Sequence, residues 1–300
     1  MQLSERDIEL IRQNKSQFVS LKYLDIDGVL KQIDASFTSL EERSLNICDD
    51  NINLKPIYNK GFIDPFRSFP TTSFFCENIA SKMNSRMLAT KLLKALNESI
   101  KSKLSIELSF WIANEVDTGL TYVADPIDKH ANFRSDVVSI LEKIGVRTTS
   151  NFHGKTSAES VIGIWGDNII DLADNLIVTK YIIANIADSY NLKAQFTFNS
   201  NANISLVIIR NMDEQNDIFL SMQRNIEQLS LISSRFNNHS FKLLDLHNYK
   251  MTNSDVVLKI DLYCEGCFIP YLAFVELLMY SVNKKLPQKE LVQFFNDKKP

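Results

Sequence analysis

In DLYCEGCFIPYLAFVELLMY (residues 261–280), an alternating strand-like run meets a cysteine pair and then Pro270-Tyr-Leu-Ala-Phe274. Cys264-Glu-Gly-Cys267 has the spacing of half a zinc site, but zinc takes four ligands, as a rule from two such pairs. The other cysteines, Cys48 and Cys76, lie far away in sequence. Four cysteines in a chain of 300 residues do not make a disulfide framework either. The pair is therefore read as incidental. The weight of the stretch falls on Pro-Tyr-Leu-Ala-Phe and on the helix expected at 270–282.

A length of 300 residues suits one large domain or two smaller ones, and 45% hydrophobic with 23% charged residues is a globular composition. The net charge of −3 offers no basic footprint, so no nucleic-acid partner is expected. MQLSERDIELIRQNK, at the start, is charged throughout and does not read as a signal peptide. No apolar run approaches the roughly 18 residues of a membrane span. The expectation is a soluble, cytoplasmic protein without a membrane partner. Eight glycines are few for this length, and Gly163-Ile-Trp-Gly166 is not a phosphate-binding loop. Nucleotide binding through a glycine loop is not expected.

Outward from the opening stretch, the pattern mixes strands and helices without regular βαβ alternation, which indicates an α+β fold. Residues 18–37 read as a hairpin around Asp27-Gly28, and the Asn-rich segment 41–60 as mostly loop. Short strands are expected at 61–66 and 72–76. A helix is expected over 85–96 with Ser85 as its cap, then a strand over 104–113. Helix 135–145 should end at Gly145. Residues 167–190 carry an amphipathic pattern with Ile170, Ala173, Leu176, Ile177, Tyr181 and Ala184 on one face. Strands at 194–198 and 204–210, a helix at 215–235 and a strand at 256–263 complete the chain.

The order of these landmarks resembles the glutamine synthetase family. The LDIDG hairpin is similar to that family's N-terminal β-grasp strands, and Ile63-Asp-Pro-Phe66 to its strand of the same sequence. Asn84-Ser-Arg86 stands for Asp-Pro-Arg, and Ile106-Glu-Leu-Ser-Phe110 for the Glu-x-Glu strand. Ala173-Asp-Asn175, Lys180-Tyr181 and Ala187-Asp-Ser-Tyr-Asn191 follow its long helix. His239-Ser-Phe-Lys-Leu243 and Pro270-Tyr-Leu-Ala-Phe274 follow two later motifs. The resemblance implies a β-grasp domain over 1–82 and a shortened α/β catalytic-type domain on an antiparallel sheet over 83–300. The chain is also shorter than the family norm.

Glutamine synthetases phosphorylate glutamate with ATP and let ammonia displace the phosphate. Such chemistry needs two divalent metals in an oxygen-rich ligand set and arginines on the charge that develops. Carried over residue by residue, the set fails. Glu107 matches the first carboxylate of Glu-x-Glu, but the second is Ser109. His-His-Glu becomes Phe152-His153-Gly154, and Gln-His-Glu becomes Glu159-Ser160-Val161, where a slip would bring in Glu159. Arginine positions fall on Leu243, Leu258 and Leu262, a metal glutamate falls on Ile260, and the last arginine is Arg235. The resemblance thus implies a family member without its chemistry. Glu107, His153 and Glu159 are a relic metal site or ordinary polar residues. No cofactor is expected, the alternative being ATP with Mg²⁺ or Mn²⁺ in a reworked ligase. Asp174 reads as a solvated or helix-pairing carboxylate, Trp111 and Trp165 as core. The expected assembly is a homo-oligomer.

Overall fold

A computed structural model describes residues 3–25, 29–41, 52–80, 85–95, 103–197, 199, 201–211, 241–250 and 255–264. The Asp27-Gly28 turn, Cys48, Cys267 and the helices expected at 215–235 and 270–282 lie outside these residues. Packing divides the chain into two units, one reaching Leu88 and the other beginning at Ala89.

In the first unit, helix α1 (Glu5–Gln13) is fixed at its start by a capping box: the Asp7 amide donates to Ser4 Oγ at 3.2 Å and the Ser4 amide to Asp7 Oδ2 at 2.9 Å. The expected hairpin forms as β1 (Phe18–Leu24) and β2 (Leu30–Ser36), followed by the short α2 (Phe37–Glu41). Strands β3 (Leu54–Ile63) and β4 (Thr71–Asn78) complete a sheet of order β2-β1-β4-β3, with β1 and β4 parallel. Val19, Leu21, Tyr23, Leu54 and Phe74 make its core with Ile11 of α1. Strand β3 corrects the expectation of a loop through residue 60. Its polar residues lie on an edge strand, where Pro56 is tolerated, and its ladder breaks between Pro56 and Gly61 around Asn59 at φ 59°. An interrupted edge strand has no alternating signature.

The alternate residues of β1 build a buried polar knot. Lys22 Nζ donates to Ser20 Oγ at 2.8 Å, Ser73 Oγ at 2.9 Å and Asp64 Oδ2 at 3.2 Å, so all three of its donors are used. Ser73 Oγ in turn donates to Asp64 Oδ2 at 2.6 Å. Burial pushes the Lys22 pKa down, against the charge and hydrogen bond of Asp64.

The division falls within α3 (Ser85–Ala95), whose cap position is residue 84, outside the described residues. The second unit contains an antiparallel sheet of order β10-β11-β9-β5-β7-β6, with β8 (Ala194–Gln195) also on β5. These strands are β5 (Lys103–Ile112), β6 (Thr148–His153), β7 (Glu159–Gly166), β9 (Ile204–Asn211), β10 (Phe241–Lys250) and β11 (Asp255–Cys264). Helices α4 (Ala131–Lys143) and α5 (Ile169–Ser189) pack on each other and on β6 and β7 respectively. Gly145, at φ +86°, follows the last turn of α4 as expected. The mixed elements and antiparallel sheet bear out the α+β class.

Of the face expected for α5, Ile170, Ala173 and Leu176 are buried, but its C-terminal half needs correcting. Ala184 is exposed and Ile177 and Tyr181 are half-buried, whereas Leu172, Val178, Thr179, Ile182, Ile183 and Ile186 are buried. A helix apolar almost all round is a core helix, and α5 is enclosed by β5, β7, β8 and α4. Asp174 and Lys180 are buried with it, so the solvated reading of Asp174 does not hold.

Removing the cation from the Lys22–Asp64 pair leaves a carboxylate in a dry site. Lys22→Met is expected to lose about 3 kcal/mol in urea unfolding, and Lys22→Met with Asp64→Asn less than the two changes summed.

Candidate functional site

Strand β5 has two unlike faces. Leu104, Ile106, Leu108 and Phe110 are buried, and the Phe110 ring meets Phe133 of α4 edge-on at 5.9 Å, which identifies theirs as the helix-covered face. By the two-residue period, Ser105, Glu107 and Ser109 face the other way. The ladder then carries Glu107 across the sheet: it pairs with Ser205 of β9, which pairs with Asp261 of β11, and on the other side with Gly163 of β7, which pairs with Ser150 of β6. Asp261 pairs in turn with Asp245 of β10, so one row of polar or small residues crosses six strands.

Within it, Ser205 Oγ donates to Asp261 Oδ1 at 2.5 Å. Lys259, on the same face of β11, donates from Nζ to Glu107 Oε2 at 2.7 Å, with side chains 27% and 31% exposed. The neighbouring row is Ser109, Val161 and Phe152, and Val161 is buried.

His153 is elsewhere. It pairs with Ser160, which pairs with Phe110, so it belongs to the helix face, opposite Glu107. Its Nε2 lies 2.8 Å from Asp117 Oδ2 and its Nδ1 3.0 Å from the Gly154 carbonyl. Both partners accept, so the ring donates from both nitrogens as an imidazolium. Burial works to lower the His153 pKa, but the hydrogen bonds to Asp117 and Gly154 and the charges of Asp117 and Asp128 outweigh it, and the net shift is upward. Asp117 and Asp128 are both held low despite burial, chiefly by hydrogen bonds from His153 and Arg134 respectively. Asp117 also accepts from the Gly119 amide at 2.9 Å, and the Tyr122 amide donates to the His153 carbonyl at 3.1 Å, so His153 anchors the segment after β5.

Glu159 is also committed. Its Oε2 accepts from the amides of Lys155 and Thr156 and from Thr156 Oγ1, each at 2.9 Å, and Trp111 Nε1 donates to that hydroxyl at 2.7 Å. Glu159 pairs with Trp111, four residues along β5 from Glu107, or about 13 Å. A Cβ at Gly154 would lie 2.3 Å from Glu159 Cδ. The Glu159 carboxylate thus fills the space that a side chain at 154 would need.

The structure therefore separates Glu107, His153 and Glu159. Among the described residues, no three His, Cys, Asp or Glu side chains are arranged to hold a metal ion, so the donors Glu107, His153 and Glu159 do not together fit the pair of divalent metals that the resemblance implies. Ile260 and Leu262 are fully buried opposite Leu206 and Ile204, on the helix face, so neither shares a face with Glu107. Leu243 pairs with Leu262 and Leu258 with Ile208. Of the residues that do share the face, Lys259 reads from sequence as a point charge without a bidentate fork, whereas Ser205 and Asp261 do not stand out because matching positions 258, 260 and 262 by motif draws attention to the other face of β11. The alternation in Lys259-Ile-Asp-Leu262 is the signal that finds them. Trp111 is buried, as expected, and Trp165 half-buried; burial pushes the Cys76 thiol up to about 12, which leaves it inert.

Residues 83–204 match the family model described as glutamine synthetase, catalytic domain. Curated relatives named glutamine synthetase include that of Vibrio alginolyticus, 20% identical over 254 residues, covering 64% of this chain and 54% of the relative. That of Helicobacter pylori strain 26695 is 22% identical over 249 residues, covering 63% and 52%. That of Methanocaldococcus jannaschii is 31% identical over 80 residues, covering 27% and 18%. The chain spans at most about half the length of these relatives. A cryo-EM structure of Plasmodium falciparum glutamine synthetase superposes with a TM-score of 0.69 at 12% identity, covering 100% of this chain and 77% of that one. Ligand-free GmaS superposes with a TM-score of 0.68 at 13% identity, covering 92% and 80%. No helix among the described residues is long and apolar enough to cross a membrane.

Two outcomes are expected of this geometry. The raised His153 pKa contributes stability in full below its ordinary 6.5, lost as pH rises through the raised value. The depressed Asp117 and Asp128 act at the acid end, where stability is lost as pH falls through their lowered values. Urea unfolding at a series of pH values should show an alkaline decline that His153→Gln removes. Gly154→Glu should destabilise by about 1–3 kcal/mol through overpacking, and Glu159→Gly in the same chain should relieve part of that loss, measured by thermal melting.

Proposed function

We propose that this chain, a relative of the glutamine synthetases by fold and by the sequence of residues 83–204, is a non-catalytic member with a binding, scaffold or regulatory role. The observation that carries this reading is the Lys259 ammonium on Glu107 at 2.7 Å. The carboxylate that matches the family's first metal ligand is already engaged by a cation of the protein. Ser109, Gly154 and Val161 at the other ligand positions have no carboxylate, and Glu159 is turned into its own turn. Losing several charge-stabilising groups costs roughly 10²–10³ in rate for each.

In this reading the protein needs no cofactor, the relic residues Glu107, His153 and Glu159 have passed to structural use, and the protein is cytoplasmic. The β2-β1-β4-β3 sheet supports a β-grasp identity for the N-terminal unit. Among the described residues no further strand pairs with its edge strands β2 and β3, and such edges can pair with a second copy, which supports a homo-oligomer.

A second reading, an ATP-dependent carboxylate–amine ligase with a reworked site, draws on the row that brings Glu107, Ser205 and Asp261 to one face. It requires ATP with Mg²⁺ or Mn²⁺. The test is a γ-glutamyl transfer assay and an ATP-dependent glutamine-formation assay with each metal. No turnover above buffer is expected. Metal-dependent turnover that Glu107→Gln abolishes would establish the ligase instead, and a nucleotide-induced rise in Tm would accompany it.

A further inference from the structure

The mismatch between this face and a divalent metal has a specific form. The row supplies the carboxylates of Glu107 and Asp261 and the hydroxyl of Ser205, and its register runs on to Asp245 of β10, while Gly163 and Val161 on the other side supply no oxygen from a side chain. A hard divalent cation takes about six oxygen ligands, often including water. Lys259 stands two residues from Asp261 on β11, opposite Val207, which is itself opposite Ser105. Its ammonium therefore reaches diagonally across β9 to meet Glu107. A lysine on a half-exposed strand is free to extend its long stem to water, yet here it turns inward over the row.

We infer that the Lys259 ammonium takes the place of a divalent cation on this face and makes the face metal-independent. A lysine ammonium is a compact point charge with three donors, which suits it to a carboxylate whose neighbours Gly163 and Val161 add no oxygen. It also repels an incoming dication from the same carboxylates. This rests on the non-catalytic reading of the same site and gives it a mechanism. The protein carries its own counter-charge for Glu107 whatever the metal supply.

Calorimetric titration with Mn²⁺ alone and thermal melting, both on the full chain, test the inference in the wild type, Lys259→Met, Glu107→Gln and the Lys259→Met/Glu107→Gln double variant. The wild type is expected to melt at the same temperature with and without millimolar Mn²⁺. Lys259→Met should gain a Mn²⁺-dependent rise in Tm and bind Mn²⁺ roughly tenfold tighter or more, by removal of a like charge, and the double variant should lose that gain. Lys259→Gln, which keeps a polar stem, carries the same expectation and serves if Lys259→Met does not fold. Mn²⁺ stabilisation of the wild type that Glu107→Gln abolishes would overturn the inference. So would a folded Lys259 variant that binds Mn²⁺ no better than the wild type. Turnover in the transfer assay by a wild type whose melting ignores Mn²⁺ would instead overturn the non-catalytic reading and leave this inference standing.

Discussion

The strict two-residue period of β5 decides what can meet what in the second unit. Its apolar residues face α4 and α5, and Phe110 against Phe133 fixes that side. Every residue on the neighbouring strands inherits a side from this choice through the ladder, because a slip of one residue would send Ile106, Leu108 and their partners into the polar face. Glu107 and His153 are therefore held apart by register. No side-chain movement short of re-pairing the sheet would bring them together.

The same period shows how far the sequence could be read. Strand β5, the hairpin β1–β2, helix α4 with its closing glycine and the core strand β11 have strong local patterns, and each lies close to where the pattern indicates. What escaped has physical causes. Strand β7 is buried on both faces, so ESVIGIWG does not alternate. Strand β3 is interrupted and polar. Helix α5 is buried over most of its circumference, so a search for one apolar stripe finds Ile170, Ala173 and Leu176 but misses Val178, Ile182, Ile183 and Ile186. At the site, family motifs identified Glu107 from sequence, but they placed β11 one residue away from the face it presents. Alternation would have chosen Lys259 and Asp261 over Ile260 and Leu262.

Polar burial serves different ends in the two units. Around Lys22 every donor of the ammonium is matched, across two strands and the turn that holds Asp64. Such a fully satisfied network favours one strand pairing over its shifted alternatives. Around His153 the polar groups belong to a surface segment and to the start of α4, and they tie loop to sheet. In both networks these hydrogen bonds join groups of the protein to one another.

The contact between Gly154 and Glu159 gives the protein a direction in sequence space. With the Glu159 carboxylate seated 2.3 Å from where a Cβ at 154 would stand, any larger residue at 154 meets an occupied space. Position 159 must empty before position 154 can fill, although emptying it alone frees the amides of Lys155 and Thr156 and the Thr156 hydroxyl from their acceptor. The two positions are thus epistatic, and the intermediate with only one of them changed is handicapped in either order. The glycine acts as a latch, and filling its position takes two coordinated substitutions.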